Sequence, residues 1–178
     1  MTSNLESLID AEALHARVVE LGAAITRDYA GKDVVLIGVL KGCILFLADL
    51  IRAIDLPISV DFLGLSSYAG TTQSTGVVRI TSDLTRPIDG KHVLVVEDIV
   101  DTGLTMLYLL ENLQTRNPKS IKICSLLYKP ENNKIPIGIE YLGFEIPNKF
   151  VVGYGLDIDE RYRNLPYLAE WKGSGAEE

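Results

Sequence analysis

The sequence predicts an α/β protein with a mostly parallel twisted sheet flanked by helices. Two runs of strand length, 34–40 and 93–96, are apolar or Gly at every position. Strands buried on both faces read this way, and they occur in parallel sheets covered by helices. Helical stretches separate the strand candidates, which is the alternation of βαβ units. No internal repeat or low-complexity linker interrupts it. In such sheets the ligand crevice lies at the carboxyl ends of the strands.

Leu14, Val18, Leu21 and Ile25 recur on one helical face, with Asp10 placed to cap and Gly31 to stop. The first element is therefore an amphipathic helix that packs rather than reacts. The strand 34–40 ends at Lys41 and Gly42, a helix is expected over 42–53, and the next strand over 58–63. Residues 66–76 are rich in Ser, Thr and Gly without apolar periodicity, so they read as a long mobile loop, and loops of that length are often lids. Strands at 77–80 and 93–96 follow, the second after a turn at Gly90. A helix over about 103–115 ends near Asn117 and Pro118, and a strand spans 121–128.

At 178 residues the chain suits one domain, 1–178, with a tail at about 173–178. Burial of about 70% of the unfolded surface gives such a chain a core without disulfide or metal staples. Lys plus Arg supply 17 charges against 24 from Asp plus Glu, for a net charge of −7. That balance disfavours a protein that grips nucleic acid or an anionic membrane. Lys41 and Asp49 cut the most apolar region, so no membrane-spanning apolar run exists. The first ten residues lack the basic start of a secretory signal, and cytoplasmic residence is the expectation. Cys43 and Cys124 lie inside apolar runs and read as small buried hydrophobes; His15 and His92 have no partner pattern and read as structural.

The chemistry concentrates where the strand 93–96 runs into Glu97, Asp98, Asp101, Thr102, Gly103 and Thr105. Free amides at a helix start, with the Thr102 and Thr105 hydroxyls, form an anion cradle that needs no lysine. The bland alternative is that Asp101 or Thr102 merely caps the helix and the acidic pair sits in solvent. Carboxylates beside a phosphate repel it, so in the cradle they need a different role, such as holding ribose hydroxyls, a divalent cation or a developing cation. No Walker-type phosphate loop is present.

The string from Glu97 to Thr105 resembles the phosphoribosyl pyrophosphate signature of the type I phosphoribosyltransferases. Supporting strings are Leu40-Lys41-Gly42, Ser66-Ser67-Tyr68, Leu126-Leu127-Tyr128-Lys129, Gly143-Phe144-Glu145-Ile146-Pro147 and the stretch from Lys149 to Tyr154, closing with Asp157 and Arg163. The later strings resemble the branch that acts on 6-oxopurines. The resemblance implies the type I phosphoribosyltransferase fold, with a small hood from the chain ends. It implies that Glu97 and Asp98 contact the ribose hydroxyls, that Asp101 is the acid/base at purine N7, and that Asp101, Thr102, Gly103, Leu104 and Thr105 hold the 5′-phosphate. Lys129 then donates to the purine 6-oxo group, Phe150 stacks on the base, and Val151 meets its edge through backbone groups. Asp157 is the implied Mg²⁺ ligand, with Glu97 and Asp98 as further metal residues. Lys41 and Gly42, often a non-proline cis peptide in relatives, receive pyrophosphate with Arg163. Ser66, Ser67 and Tyr68 belong to the lid. Cys43 departs from the Gly or Ser common at that turn.

The implied reaction joins a purine nitrogen to C1 of phosphoribosyl pyrophosphate, giving the nucleotide of hypoxanthine and/or guanine and releasing pyrophosphate. The implied partners are these small molecules and further copies of the chain, since relatives are dimers or tetramers. A nucleic-acid-binding regulator on the same fold is disfavoured by the absence of a basic cluster. A receiver domain is disfavoured because its acidic pair ends the first strand, whereas 34–40 ends in Lys41.

Overall fold

The computed structural model describes residues 4–67 and 78–173. Strand β1 (Leu5–Ile9) leads into helix α1 (Ala11–Asp28), where Asp10 caps by accepting the Ala13 N–H at 2.8 Å. The buried face of α1 is the expected one: Leu14, Val18, Leu21 and Ile25. Strand β2 (Val34–Leu40) has the expected bounds. Helix α2 (Ile44–Ala53) begins two residues later than expected, because Lys41 to Cys43 form a turn closed by the Ile44 N–H on the Lys41 carbonyl. The cis peptide of this turn joins Leu40 to Lys41, one bond earlier than the Lys41-Gly42 position.

Strand β3 (Ser59–Ser67) runs longer than expected and pairs antiparallel with β4 (Val78–Ser82). Ser66 and Ser67 thus belong to a strand, opposite Arg79 and Val78. Most of the 66–76 loop, with Tyr68, lies outside the described residues, as does the tail beyond 173. Strand β5 (His92–Val100) also exceeds its apolar run. Its ladder to β6 (Ser120–Tyr128) continues through Glu97–Ser125, Ile99–Leu127 and Val100–Tyr128. Backbone hydrogen bonds therefore carry the strand through the acidic pair. Helix α3 (Leu104–Gln114) follows β5, and β7 (Tyr141–Glu145) follows β6.

These strands form one sheet in the order β4-β3-β2-β5-β6-β7, parallel except for β4. Successive residues of the central strands face opposite ways, as the pleat requires. Leu36, Leu94, Val96 and Leu126 pack with α1 and α2 on one side; Val35, Ile37, Val93, Val95 and Ile123 pack with α3 on the other. Cys43 and Cys124 are buried free thiols whose pKa values are raised chiefly by burial.

A second, small antiparallel sheet joins the two ends of the described chain. Its order is β1-β9-β8, with β8 (Val151–Val152) and β9 (Leu168–Trp171). This hood sets the segment 150–163 over the carboxyl edge of the main sheet. Among the described residues no helix is long and apolar enough to cross a membrane.

Candidate active site

Because β2, β5 and β6 are parallel neighbours, their carboxyl ends open on one edge. That edge carries Lys41 and Gly42 from β2, Asp101 to Thr105 from β5, and Lys129 from β6. The hood adds Phe150, Val151, Asp157 and Arg163 from above. Segments far apart in the chain are thus gathered by topology alone.

A cavity of about 220 Å³ lies against the β5–α3 turn, walled by Glu97, Asp98, Asp101, Thr102, Gly103 and Thr105. Gly103 is the residue before α3 and holds φ +83°, the left-handed region that favours glycine. Among the described residues no side chain caps the helix there; the Thr102 hydroxyl reaches the Leu104 N–H only at 3.4 Å. The first amides of α3 are left for an anion. Neither Asp101 nor Thr102 serves as the helix cap, so the bland alternative does not hold. Leu104 opens the helix without walling the cavity.

Glu97 is buried rather than solvated, 8% exposed. Burial first, and then the neighbouring Asp98 carboxylate, raise its pKa well above the ordinary glutamate value. Asp98 accepts the Ile99 N–H at 3.0 Å. Its carboxylate is seated against the β2 turn, where a Cβ on Gly42 would lie 1.7 Å from Asp98 Oδ2. Glycine is required at position 42 by this approach.

A second cavity of about 200 Å³ adjoins the first, and its walls include Asp101, Lys129, Phe150, Val151 and Asp157. Phe150 is 43% exposed and offers an open ring face rather than core packing. Lys129 is 7% exposed, with Nζ 3.3 Å from Asp101 Oδ2. Asp98, Ile99 and Asp101 wall both cavities, so Asp101 stands at their junction.

Beside this junction, one oxygen of Glu160 links both expected pyrophosphate cations: Oε2 lies 3.1 Å from Lys41 Nζ and 3.4 Å from Arg163 Nη2. The Lys41 hydrogen bond chiefly, then Arg163, lower the Glu160 pKa. Arg163 also pairs with Asp157 at 2.8 Å and donates to the Gly155 carbonyl.

Asp157, the implied Mg²⁺ ligand, and the further metal residues Glu97 and Asp98 are distributed between the two cavities. Glu97 walls only the first cavity and Asp157 only the second, and no group of three or more potential metal ligands is gathered among the described residues. Asp98 adjoins both, since it walls the two cavities and lies close enough to Glu97 to raise its pKa.

A family model described as "Phosphoribosyl transferase domain" matches residues 4–159. The chain belongs to the phosphoribosyltransferase family. Curated relatives agree: a hypoxanthine-guanine phosphoribosyltransferase of Mycobacterium avium is 52% identical over 167 residues, covering 90% of this chain and 82% of the relative. One of Dictyostelium discoideum is 48% identical over 171 residues, covering 94% and 95%. A crystal structure of a hypoxanthine phosphoribosyltransferase from Staphylococcus aureus superposes with TM-score 0.94 at 46% identity, covering 100% of this chain and 97% of that one. The hood expected from the resemblance is present in this phosphoribosyltransferase, as is the mostly parallel sheet.

Sequence reasoning missed two residues that the site brings in. Asn132 donates to Asp101 Oδ1 at 2.5 Å, and Glu160 bridges Lys41 and Arg163. Asn132 ends a short 3-10 turn after Lys129 (Pro130–Asn132), and no periodicity marks such a turn. Glu160 belongs to a charged stretch that reads as a solvated face; only its spacing of three from Arg163 hinted at a pair. Tyr154, which ends the stretch from Lys149, is core: it is buried and donates to Asp49 at 2.5 Å.

Proposed function

We infer that this phosphoribosyltransferase serves purine salvage, moving the 5-phosphoribosyl group of phosphoribosyl pyrophosphate to hypoxanthine or guanine with release of pyrophosphate. The observation that carries this reading is the meeting of two cavities at Asp101. One ends in the amide cradle of α3, and the other offers a buried lysine and an exposed aromatic face. The first suits a sugar phosphate, with Thr102, Gly103, Thr105 and the α3 amides on the 5′-phosphate. Glu97 and Asp98 then face the ribose hydroxyls. The second suits a flat base: Phe150 stacks on it, Val151 meets its edge, and Lys129, a donor without acceptor capacity, selects a 6-oxo group.

The reaction breaks the bond from C1 to the pyrophosphate oxygen and forms a bond from C1 to a purine nitrogen. Positive charge develops at the anomeric carbon as the first bond lengthens, and nearby carboxylates stabilise it. Asp98 and Asp101 occupy that place. Asp101 accepts the proton the purine loses at N7, and Lys41 with Arg163 receives the leaving pyrophosphate.

Mg²⁺ binds through one or two carboxylates plus phosphate oxygens. Asp157, with Asp98 across the second cavity, fits that donor set, since neither needs a closed cage of protein ligands. When bound, the ion neutralises pyrophosphate charge in a protein of net charge −7. The reading includes cytoplasmic residence and an assembly of two or four copies.

The test is nucleotide formation from hypoxanthine and phosphoribosyl pyrophosphate with and without Mg²⁺. Product that depends on both substrates and on Mg²⁺ supports the reading; no product under any of these conditions overturns it.

A further inference from the structure

Among the described residues the carboxylate at the junction of the two cavities has two side-chain donors, and they cannot both keep it once a base arrives. Lys129 Nζ approaches Asp101 Oδ2 at 3.3 Å, and Asn132 Nδ2 donates to Oδ1 at 2.5 Å. An ionised carboxylate only accepts, so the amide nitrogen of Asn132 must face it. On the function proposed above, Lys129 turns to the 6-oxo oxygen of the purine and leaves Oδ2 free to take the N7 proton. Asn132 is then the side chain that still holds Asp101.

The surrounding geometry keeps Asn132 in place. It closes the 3-10 turn that starts at Pro130, whose ring fixes φ. Its backbone N–H returns to the Lys129 carbonyl at 3.3 Å. The next residue, Asn133, donates to the Tyr128 hydroxyl at 3.0 Å and accepts the Ile135 N–H at 2.8 Å. The Lys134 N–H donates to the Thr102 carbonyl at 3.0 Å, tying the segment to the phosphate turn itself. Asn132 is thus anchored at the end of β6 and at the residue after Asp101. A rigidly held donor fixes one carboxylate oxygen and thereby aims the other.

We propose that Asn132 is a positioning residue for Asp101, holding Oδ1 so that Oδ2 faces purine N7 when Lys129 leaves for the base. It touches neither substrate in this role. Misplacement of a reacting group by about 1 Å costs up to ~10²-fold in rate, so Asn132→Leu, of similar volume without a donor, should lower kcat about 10- to 100-fold. KM for phosphoribosyl pyrophosphate should stay within about twofold, since the α3 cradle is untouched. Asn132→Asp keeps the shape and places like charge on Asp101, and should lose at least as much.

The deciding measurement is a double-mutant cycle with Asp101→Asn, read in kcat. If Asn132 acts through Asp101, adding Asn132→Leu to Asp101→Asn changes kcat little, and the losses are strongly non-additive. Fully additive losses, or an Asn132→Leu enzyme within about twofold of wild type, overturn the proposal. Should the leucine variant fail to fold, Asn132→Ala, which removes the donor without adding a charge, completes the same cycle. An unimpaired Asp101→Asn enzyme is a separate result, and it overturns the base role of Asp101 on which the proposal rests.

Discussion

Replacing Gly42 by alanine perturbs the contact that seats Asp98 between the two cavities. The added Cβ would lie 1.7 Å from Asp98 Oδ2 and 2.5 Å from its carboxyl carbon, where real contacts do not fall below 3.0 Å. One of the two groups must therefore move by about 1.3 Å. Asp98 cannot yield freely, because Oδ1 is held by the Ile99 N–H at 3.0 Å. The Gly42 turn is held too, since the Ile44 N–H closes on the Lys41 carbonyl at 3.2 Å. Overpacking of this kind costs about 1–3 kcal/mol. In a protein of this size each kcal/mol lowers Tm by about 2–4 °C. Asp98 walls both cavities, so a shift above 1 Å should also lower kcat/KM for phosphoribosyl pyrophosphate by ~10²-fold. Thermal unfolding and steady-state kinetics on Gly42→Ala check both effects. Wild-type Tm together with wild-type kinetics would refute the seating of Asp98 against this turn.

Three further outcomes are expected. Asp101→Asn should keep phosphoribosyl pyrophosphate binding while kcat falls by about 10² or more, the usual worth of a general acid/base; single-turnover kinetics beside a binding titration separate the two. Glu160→Gln should lower KM for phosphoribosyl pyrophosphate by about two- to fivefold, since it frees Lys41 and Arg163 from an exposed and therefore weak pairing; a raised KM would show that Glu160 organises these cations instead of competing for them. Glu97→Gln should raise Tm at neutral pH by about 2–4 °C while lowering activity. The sign follows from the raised pKa of buried Glu97: the native state keeps its proton to higher pH than the unfolded chain, so its contribution to stability falls as pH rises above the ordinary carboxylate range. The Tm advantage of the variant should therefore shrink toward pH 4, and an advantage constant with pH would rule out this origin.

The parts of the fold that rest on long apolar periods were legible in the sequence. Helix α1 shows its buried stripe at Leu14, Val18, Leu21 and Ile25, and β2 its uniformly apolar run. Where a strand leaves the core, the signal ends before the strand does: β5 continues through Glu97 and Asp98 because β6 supplies ladder partners, and hydrogen bonding leaves no trace in hydropathy. The hood strands are short, two residues in β8, and owe their pairing to contact between distant segments. They were anticipated only through resemblance.

The site divides in the same way. Glu97 to Thr105 is contiguous and its chemistry is readable in order. Lys129 joins it through the crossovers of a parallel sheet, and Phe150 and Asp157 through the hood, neither of which single-residue signals report. Asn132 and Glu160 escaped because a 3-10 turn and a charged loop look like solvated surface until their partners are placed. The direct pairing of Arg163 with Asp157 was hidden for the same reason.

The central claim is that a 6-oxopurine is the accepted base, and comparison of hypoxanthine with adenine tests it most directly. Lys129 is 7% exposed, so an adenine 6-amino group facing it would leave two donors opposed and a buried charge without a partner. Sites built on such a hydrogen bond reject the mismatched analogue by ~10⁴ or more. Measured as kcat/KM with phosphoribosyl pyrophosphate and Mg²⁺, hypoxanthine should exceed adenine by at least that factor, and Lys129→Ala should narrow the gap by depressing hypoxanthine use. Adenine used as well as hypoxanthine by the unmutated protein would contradict the account.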